Sequence, residues 1–99
     1  MLTTGKRVIL ISKEEQEQDY VFLGVERLQS GFESACFYPY SKDMLSKAII
    51  KKDLYITTFK YIHVKKELKE IKGIKEWYLK NRLLFDLPFI DSDVLPDKE

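Results

Sequence analysis

Two runs rich in β-branched and aromatic residues, 20–28 and 32–40, stand on either side of Gln29-Ser30-Gly31. Side chains of this kind fit a pleated, half-buried surface, and a short glycine-containing link between two such runs is a hairpin signal. The spacing therefore predicts two antiparallel strands, the second ended by Pro39. A helix over residues 13–29 competes with this reading. Ser12 followed by Glu14 and Glu15 resembles a capped start, Val21, Val25 and Leu28 share one helical face, and Gly31 suits a C-terminal cap. Gly24 in mid-segment and the clustered Tyr, Val and Phe favour the hairpin, and the alternative stays open at this point.

The remaining segments extend the pattern. Residues 7–12, Arg-Val-Ile-Leu-Ile-Ser, read as a buried first strand, and residues 13–19 as a solvated connection. Ser41 caps an expected helix over 42–51, with Asp43 in its first turn. Residues 53–64 alternate Tyr55, Thr57, Phe59 and Tyr61 with Leu54, Ile56, Ile62 and Val64, which predicts an interior strand apolar on both faces. From 65 to 85, Leu68, Ile71, Tyr78 and Phe85 recur at helical spacing, interrupted by Gly73. Beyond Leu87-Pro88 the residues Asp91, Asp93, Asp97 and Glu99 make 88–99 an acidic tail or strap. The expected architecture is a single α+β domain over residues 1–99: an antiparallel sheet of three or four strands with two or three helices on one face.

Composition narrows the function more by exclusion than by indication. A chain of 99 residues with 44% apolar content is long enough to bury one core and too short for two domains. Cys36 is the sole cysteine, so no intrachain disulfide forms. With no basic-then-apolar stretch after Met1, an intracellular location is expected. No apolar run approaches the roughly 18 residues that span a bilayer, so no membrane insertion is expected. His63 is the sole histidine, which excludes paired-histidine metal ligation within one chain.

Other chemistries fare no better. A Cys36–His63 nucleophile pair is outweighed by the apolar setting of Cys36 beside Phe37. The four glycines are too scattered to cradle a phosphate, and Asp86, Asp91, Asp93 and Asp97 lack calcium-loop spacing. No catalytic, cofactor-binding or metal-binding residue is assigned. The expectation is a protein that is not an enzyme and carries no cofactor, with an enzyme of unrecognised type as the least favoured alternative.

Charge is less evenly spread than the net +1 suggests. Residues 1–41 hold four basic and six acidic groups, 42–82 hold twelve and five, and 83–99 hold one and five, giving −2, +7 and −4. A basic middle between acidic ends raises a polyanion partner. On that alternative Lys65, Lys66, Lys69, Lys72 and Lys80 are the candidate nucleic-acid-binding residues, with Tyr38, Tyr40, Tyr55, Tyr61, Trp77 and Tyr78 available for base stacking. Against it, the lysines form no single helical stripe, and Glu67, Glu70 and Glu76 are spaced to pair with them. Arginine, the usual reader of guanine, occurs only three times. High lysine with one asparagine and three glutamines leans toward a thermostable protein of a hyperthermophile.

Over its whole length, and most of all in Asp53-Leu-Tyr-Ile-Thr-Thr-Phe-Lys-Tyr-Ile and the Lys-Lys-Glu-Leu-Lys-Glu-Ile-Lys run from Lys65, the chain resembles the small proteins of filamentous viruses of thermoacidophilic archaea, the lipothrixviruses of Acidianus. Neither stretch is a motif with assigned chemistry. The resemblance implies a viral protein of unknown function in the host cytoplasm and transfers no site residue. The preferred expectation is a small accessory interaction protein that binds a protein partner, a host or viral protein or a second copy in a homodimer, through a sheet edge or an aromatic patch. Sequence-non-specific nucleic-acid binding by residues 42–82 is the alternative.

Overall fold

The computed structural model describes residues 2–27, 33–84 and 90–91. Six strands run β1 Lys6–Ile11, β2 Glu17–Arg27, β3 Glu33–Pro39, β4 Tyr55–Thr58, β5 Val64–Glu70 and β6 Ile90–Asp91, with one α-helix among the described residues, α1 Ile74–Leu84. The strands β4-β3-β2-β1-β5 form one antiparallel sheet in that order, and β6 adds to β2 beside Val25 and Glu26. The protein is therefore mostly β, which corrects the expected three or four strands under two or three helices.

The hairpin reading of the first half holds: β1, β2 and β3 form a meander, β3 ends at Pro39, and no helix occupies the described part of 13–29. The turn at Gln29-Ser30-Gly31 lies outside the described residues, as does the 88–99 tail apart from β6. Gly24 is at φ +147°, and the β2–β3 register slips between Phe22 and Gly24, so Leu23 is the extra residue of a bulge. The slip reverses the alternation. Val21 and Leu23 face one side of the sheet, whereas Phe22 and Val25 both face the other.

The other three expectations fail for separate physical reasons. Residues 42–51 form no α-helix, only 3-10 turns at Met44–Ser46 and Lys51–Asp53. The Ser41 hydroxyl donates to the Asp43 carboxylate at 3.1 Å rather than capping a helix. Residues 53–64 are not one interior strand. Only Tyr55–Thr58 pairs, at the sheet's edge, and Phe59–Tyr61 is a 3-10 turn. Apolar side chains on both faces of that segment reflect a sheet covered on both sides rather than an interior position. The Lys- and Glu-rich stretch Val64–Glu70 is a strand because its ladder to β1 outweighs its helix propensity. The helix begins only after Gly73, at φ +89°.

The link from β4 to β5 bends the sheet. In a flat sheet these edge strands would lie about 19 Å apart, four inter-strand spacings. Residues 59–63 must bridge them, and the first three are coiled at roughly 2 Å rise each, so the edges have to approach one another. The sheet is thus curled toward the face that residues 59–63 cross. Its concave side holds Val8, Leu10, Phe22, Val25, Ala35 and Phe37, with Phe59 and Ile62 of the crossing packed against them. Its convex side holds Val21, Leu23, Cys36 and Tyr38, covered by Ile74, Trp77 and Tyr78 of α1 and by Met44 and Ile49.

Gly5 joins both ends of this arrangement. Its N–H donates to the Phe22 carbonyl at 2.8 Å, and its carbonyl accepts from the Ile71 N–H at 2.9 Å. At φ +97° a Cβ would sit 3.0 Å from the Ile71 carbonyl oxygen. Gly5→Ala meets both a disfavoured backbone and an immovable backbone atom, and is expected to destabilise the fold by about 1–3 kcal/mol. A urea midpoint unchanged from wild type would contradict this.

Candidate binding cleft

Two adjoining clefts open at the end of the sheet where β1 turns into β2. The smaller, of about 290 Å³, is lined in part by Leu10, Gln18 and Ile62, and the larger, of about 950 Å³, by Thr57, Lys60 and Lys65. They share Ile11, Ser12, Lys13, Tyr55, Tyr61 and His63. One wall is the β1–β2 turn, the other the crossing from β4 to β5.

The turn is built by its own hydrogen bonds. The Ser12 N–H donates to the Gln16 carbonyl at 3.0 Å, the Glu15 N–H to the Ser12 carbonyl at 2.9 Å, and the Gln16 N–H to the Ser12 hydroxyl at 3.1 Å. Glu15 takes a left-handed conformation, φ 61°, that glycine or asparagine adopts more readily. The opposite wall is tied to β1 through the Ile11 N–H, which donates to the His63 carbonyl at 2.9 Å.

Two aromatic rings, Tyr55 and Tyr61, line both clefts, and Tyr55 joins them to the ring cluster of the concave core. Tyr20 lies 5.6 Å from Tyr55 and 6.2 Å from Phe37, and Phe37 in turn packs 5.4 Å from Phe22. Burial, with Tyr55 and Asp53 adding, holds the Tyr20 phenol above its ordinary 10.0. Tyr61 is 64% exposed and Tyr55 39%. The Lys60 ammonium stands 5.1 Å over the Tyr61 ring. Charge around the two clefts balances, with Lys13, Lys60 and Lys65 set against Glu14, Glu15 and Glu17, and Lys65 forms an ion pair with Glu17.

The structure divides the candidate lysines between elements. Lys65, Lys66 and Lys69 lie on β5, Lys72 in the turn after it, and Lys80 on α1. Of these only Lys65 lines a cleft, and it is engaged with Glu17. Helical spacing was the wrong ruler for the first three, since β5 is a strand. Of the six aromatics considered for stacking, Tyr55 and Tyr61 reach the cleft, whereas Tyr38, Trp77 and Tyr78 are buried on the convex side. Tyr40 is half-buried beneath the Arg7 guanidinium, 4.0 Å from its ring, and Arg7 also donates to Asp19 at 2.9 and 2.6 Å.

Cys36 and His63 are not brought together. Cys36 is buried on the convex side, and His63 is exposed at the cleft. Among the described residues no three His, Cys, Asp or Glu side chains gather to hold a metal, and no helix is long and apolar enough to cross a membrane. Sequence reasoning did not foresee the cleft itself, because it depends on residues 11–17 meeting residues 55–65 across a curl. The alternation of Tyr55, Thr57 and Tyr61, with both tyrosines exposed, was its only local signal.

No protein-family model matches the chain, and comparison with curated proteins and with solved structures finds no significant match.

Proposed function

We propose that this protein is a small accessory interaction protein, of viral origin, that acts inside the host cell by binding a protein partner through the cleft between the β1–β2 turn and the Phe59–Tyr61 crossing. The observation that carries this reading is the pair of exposed tyrosines on a concave surface, Tyr61 above all. Large rigid rings left in water beside a groove are what protein recognition sites concentrate, since they supply contact area at little entropic cost. The balanced charge of the rim supports a polypeptide partner over a polyanion, which needs an excess of unpaired cations.

Tyr61→Ala tests it. With 64% of Tyr61 already exposed, the substitution is expected to leave thermal stability within about 0.5 kcal/mol of wild type. It is expected to weaken partner retention at least tenfold when tagged protein is recovered from native or infected cells, as truncation of a central aromatic does. Recovery of bare wild-type protein, or equal retention by the variant, would remove the basis for the proposal. A low-salt mobility shift abolished by Lys65→Glu, Lys66→Glu and Lys69→Glu together would replace it with nucleic-acid binding.

A further inference from the structure

The sheet has two edges, and they are finished differently. β5 carries Lys65, Lys66, Glu67, Lys69 and Glu70, and its pairing with β1 slips twice. Charge and irregularity of this kind are how edge strands are kept from pairing with other chains. β4 has neither device. Its four residues, Tyr-Ile-Thr-Thr, hold no charge and no proline, and they pair with β3 in unbroken register from Phe37↔Tyr55 to Ser34↔Thr58. Among the described residues no strand covers its outer side. Tyr55 and Ile56 stand 39% and 38% exposed there. In an antiparallel ladder alternate residues turn both N–H and C=O away from the neighbour, so half of the β4 backbone groups are directed outward.

We infer that the β4 edge is a strand-addition site for an extended segment of a different protein, one with a β-branched or aromatic core and acidic residues at both ends. The flanks specify the charge. Exposed Lys51 and Lys52 precede the strand and Lys60 follows it, with Asp53 the one acid between them. Antiparallel self-pairing centred on Tyr55–Thr58 would set Asp53 of one copy opposite Lys60 of the other, yet it would still gather six lysines against two aspartates along the joined edges. Like charges across a pair are destabilising, and an acid-flanked partner reverses the sign at both ends. Tyr55, Thr57, Lys60 and Tyr61 also line the cleft, so a strand added here runs along its margin. The inference rests on reading the protein as a partner-binding module and names the form and charge of the partner segment.

A synthetic peptide tests it on the full chain without the natural partner. The probe is the capped octapeptide Glu-Glu-Thr-Val-Thr-Val-Glu-Glu, and the readout is residue-resolved amide exchange. Slowed exchange is expected at alternate amides of residues 55–58, with binding about tenfold weaker for the lysine-flanked counterpart and lost on N-methylation of alternate peptide bonds. The variant with Lys51→Glu, Lys52→Glu and Lys60→Glu is expected to prefer the lysine-flanked peptide. Three results would each overturn the inference: unchanged exchange at 55–58, equal binding of both peptides, or protection of the same amides by self-association without peptide. Because the peptide needs no contact with Tyr61, failure here is distinguishable from failure of the cleft reading, which Tyr61→Ala tests separately.

Discussion

Replacing Phe37 with alanine is expected to destabilise the protein by about 3–5 kcal/mol, the range for truncating a fully buried aromatic. Phe37 has no exposed surface and sits in the concave core, 5.4 Å from Phe22, 6.1 Å from Tyr55 and 6.2 Å from Tyr20. The loss combines burial, ring contacts on three sides and a void that a curled sheet closes poorly. In a domain of this size it corresponds to a fall in melting temperature of about 15–30 °C. Phe37→Leu keeps most of the volume and is expected to cost less than half as much. Tyr55→Ala lies on the same ring cluster but at a 39% exposed edge, and should fall well short of Phe37→Ala. Similar midpoints for Phe37→Ala and Tyr55→Ala would show that the aromatic cluster is not the organising part of the concave core.

How much of this was legible beforehand depends on whether the cause was local. The first three strands could be read because their signals are local: a β-branched run at Val8–Ile11, and two aromatic-rich runs around a glycine-containing link. The Gly24 bulge counted against a helix at the level of propensity, but its effect on which residues face which side depends on pairing with Cys36 and could not be read from one strand. β5 was misread for a physical reason. Lysine and glutamate favour helix in isolation, and Leu68 and Ile71 fall at helical spacing, yet the segment lies against β1, where ladder hydrogen bonds decide. Gly73 was recognised as an interruption, and what precedes it is a strand instead of a first helix.

The same division applies to the cleft. Tyr55 and Tyr61 were recognised as aromatics that matter only if exposed, and exposure is a tertiary property. The basic middle was visible as a +7 segment, but Lys65 is held by Glu17, a residue 48 positions away that no local spacing rule connects to it. Cys36 was expected in an apolar setting and is buried, whereas His63 stands exposed just before β5, so the fold does not bring the two together.

Residues 42–51 were expected to be a helix, and at 47–50 side chains instead satisfy backbone polar groups, which makes Asn81 the second position of large effect. Asn81 is 4% exposed on α1; its carbonyl accepts from the Ile49 N–H at 2.8 Å and its amide donates to the Trp77 carbonyl at 2.8 Å. Trp77 donates its indole N–H to the Lys47 carbonyl at 2.8 Å, and the Tyr38 hydroxyl accepts from the Ile50 N–H at 2.9 Å. Three side chains thus do for residues 47–50 what helical hydrogen bonds would have done. Asn81→Ala strands the buried Ile49 N–H, and Asn81→Leu does so while also crowding a site shaped for an amide. Each is expected to cost about 2–4 kcal/mol, the penalty of an unsatisfied buried donor together with lost packing. Amide exchange separates this from general weakening. Ile49 and its neighbours should lose protection first and by more than the strands, because the loop detaches from α1 before the sheet opens. Uniform loss of protection across β2 and β3 would mean that Asn81 supports the core as a whole and not the loop it holds.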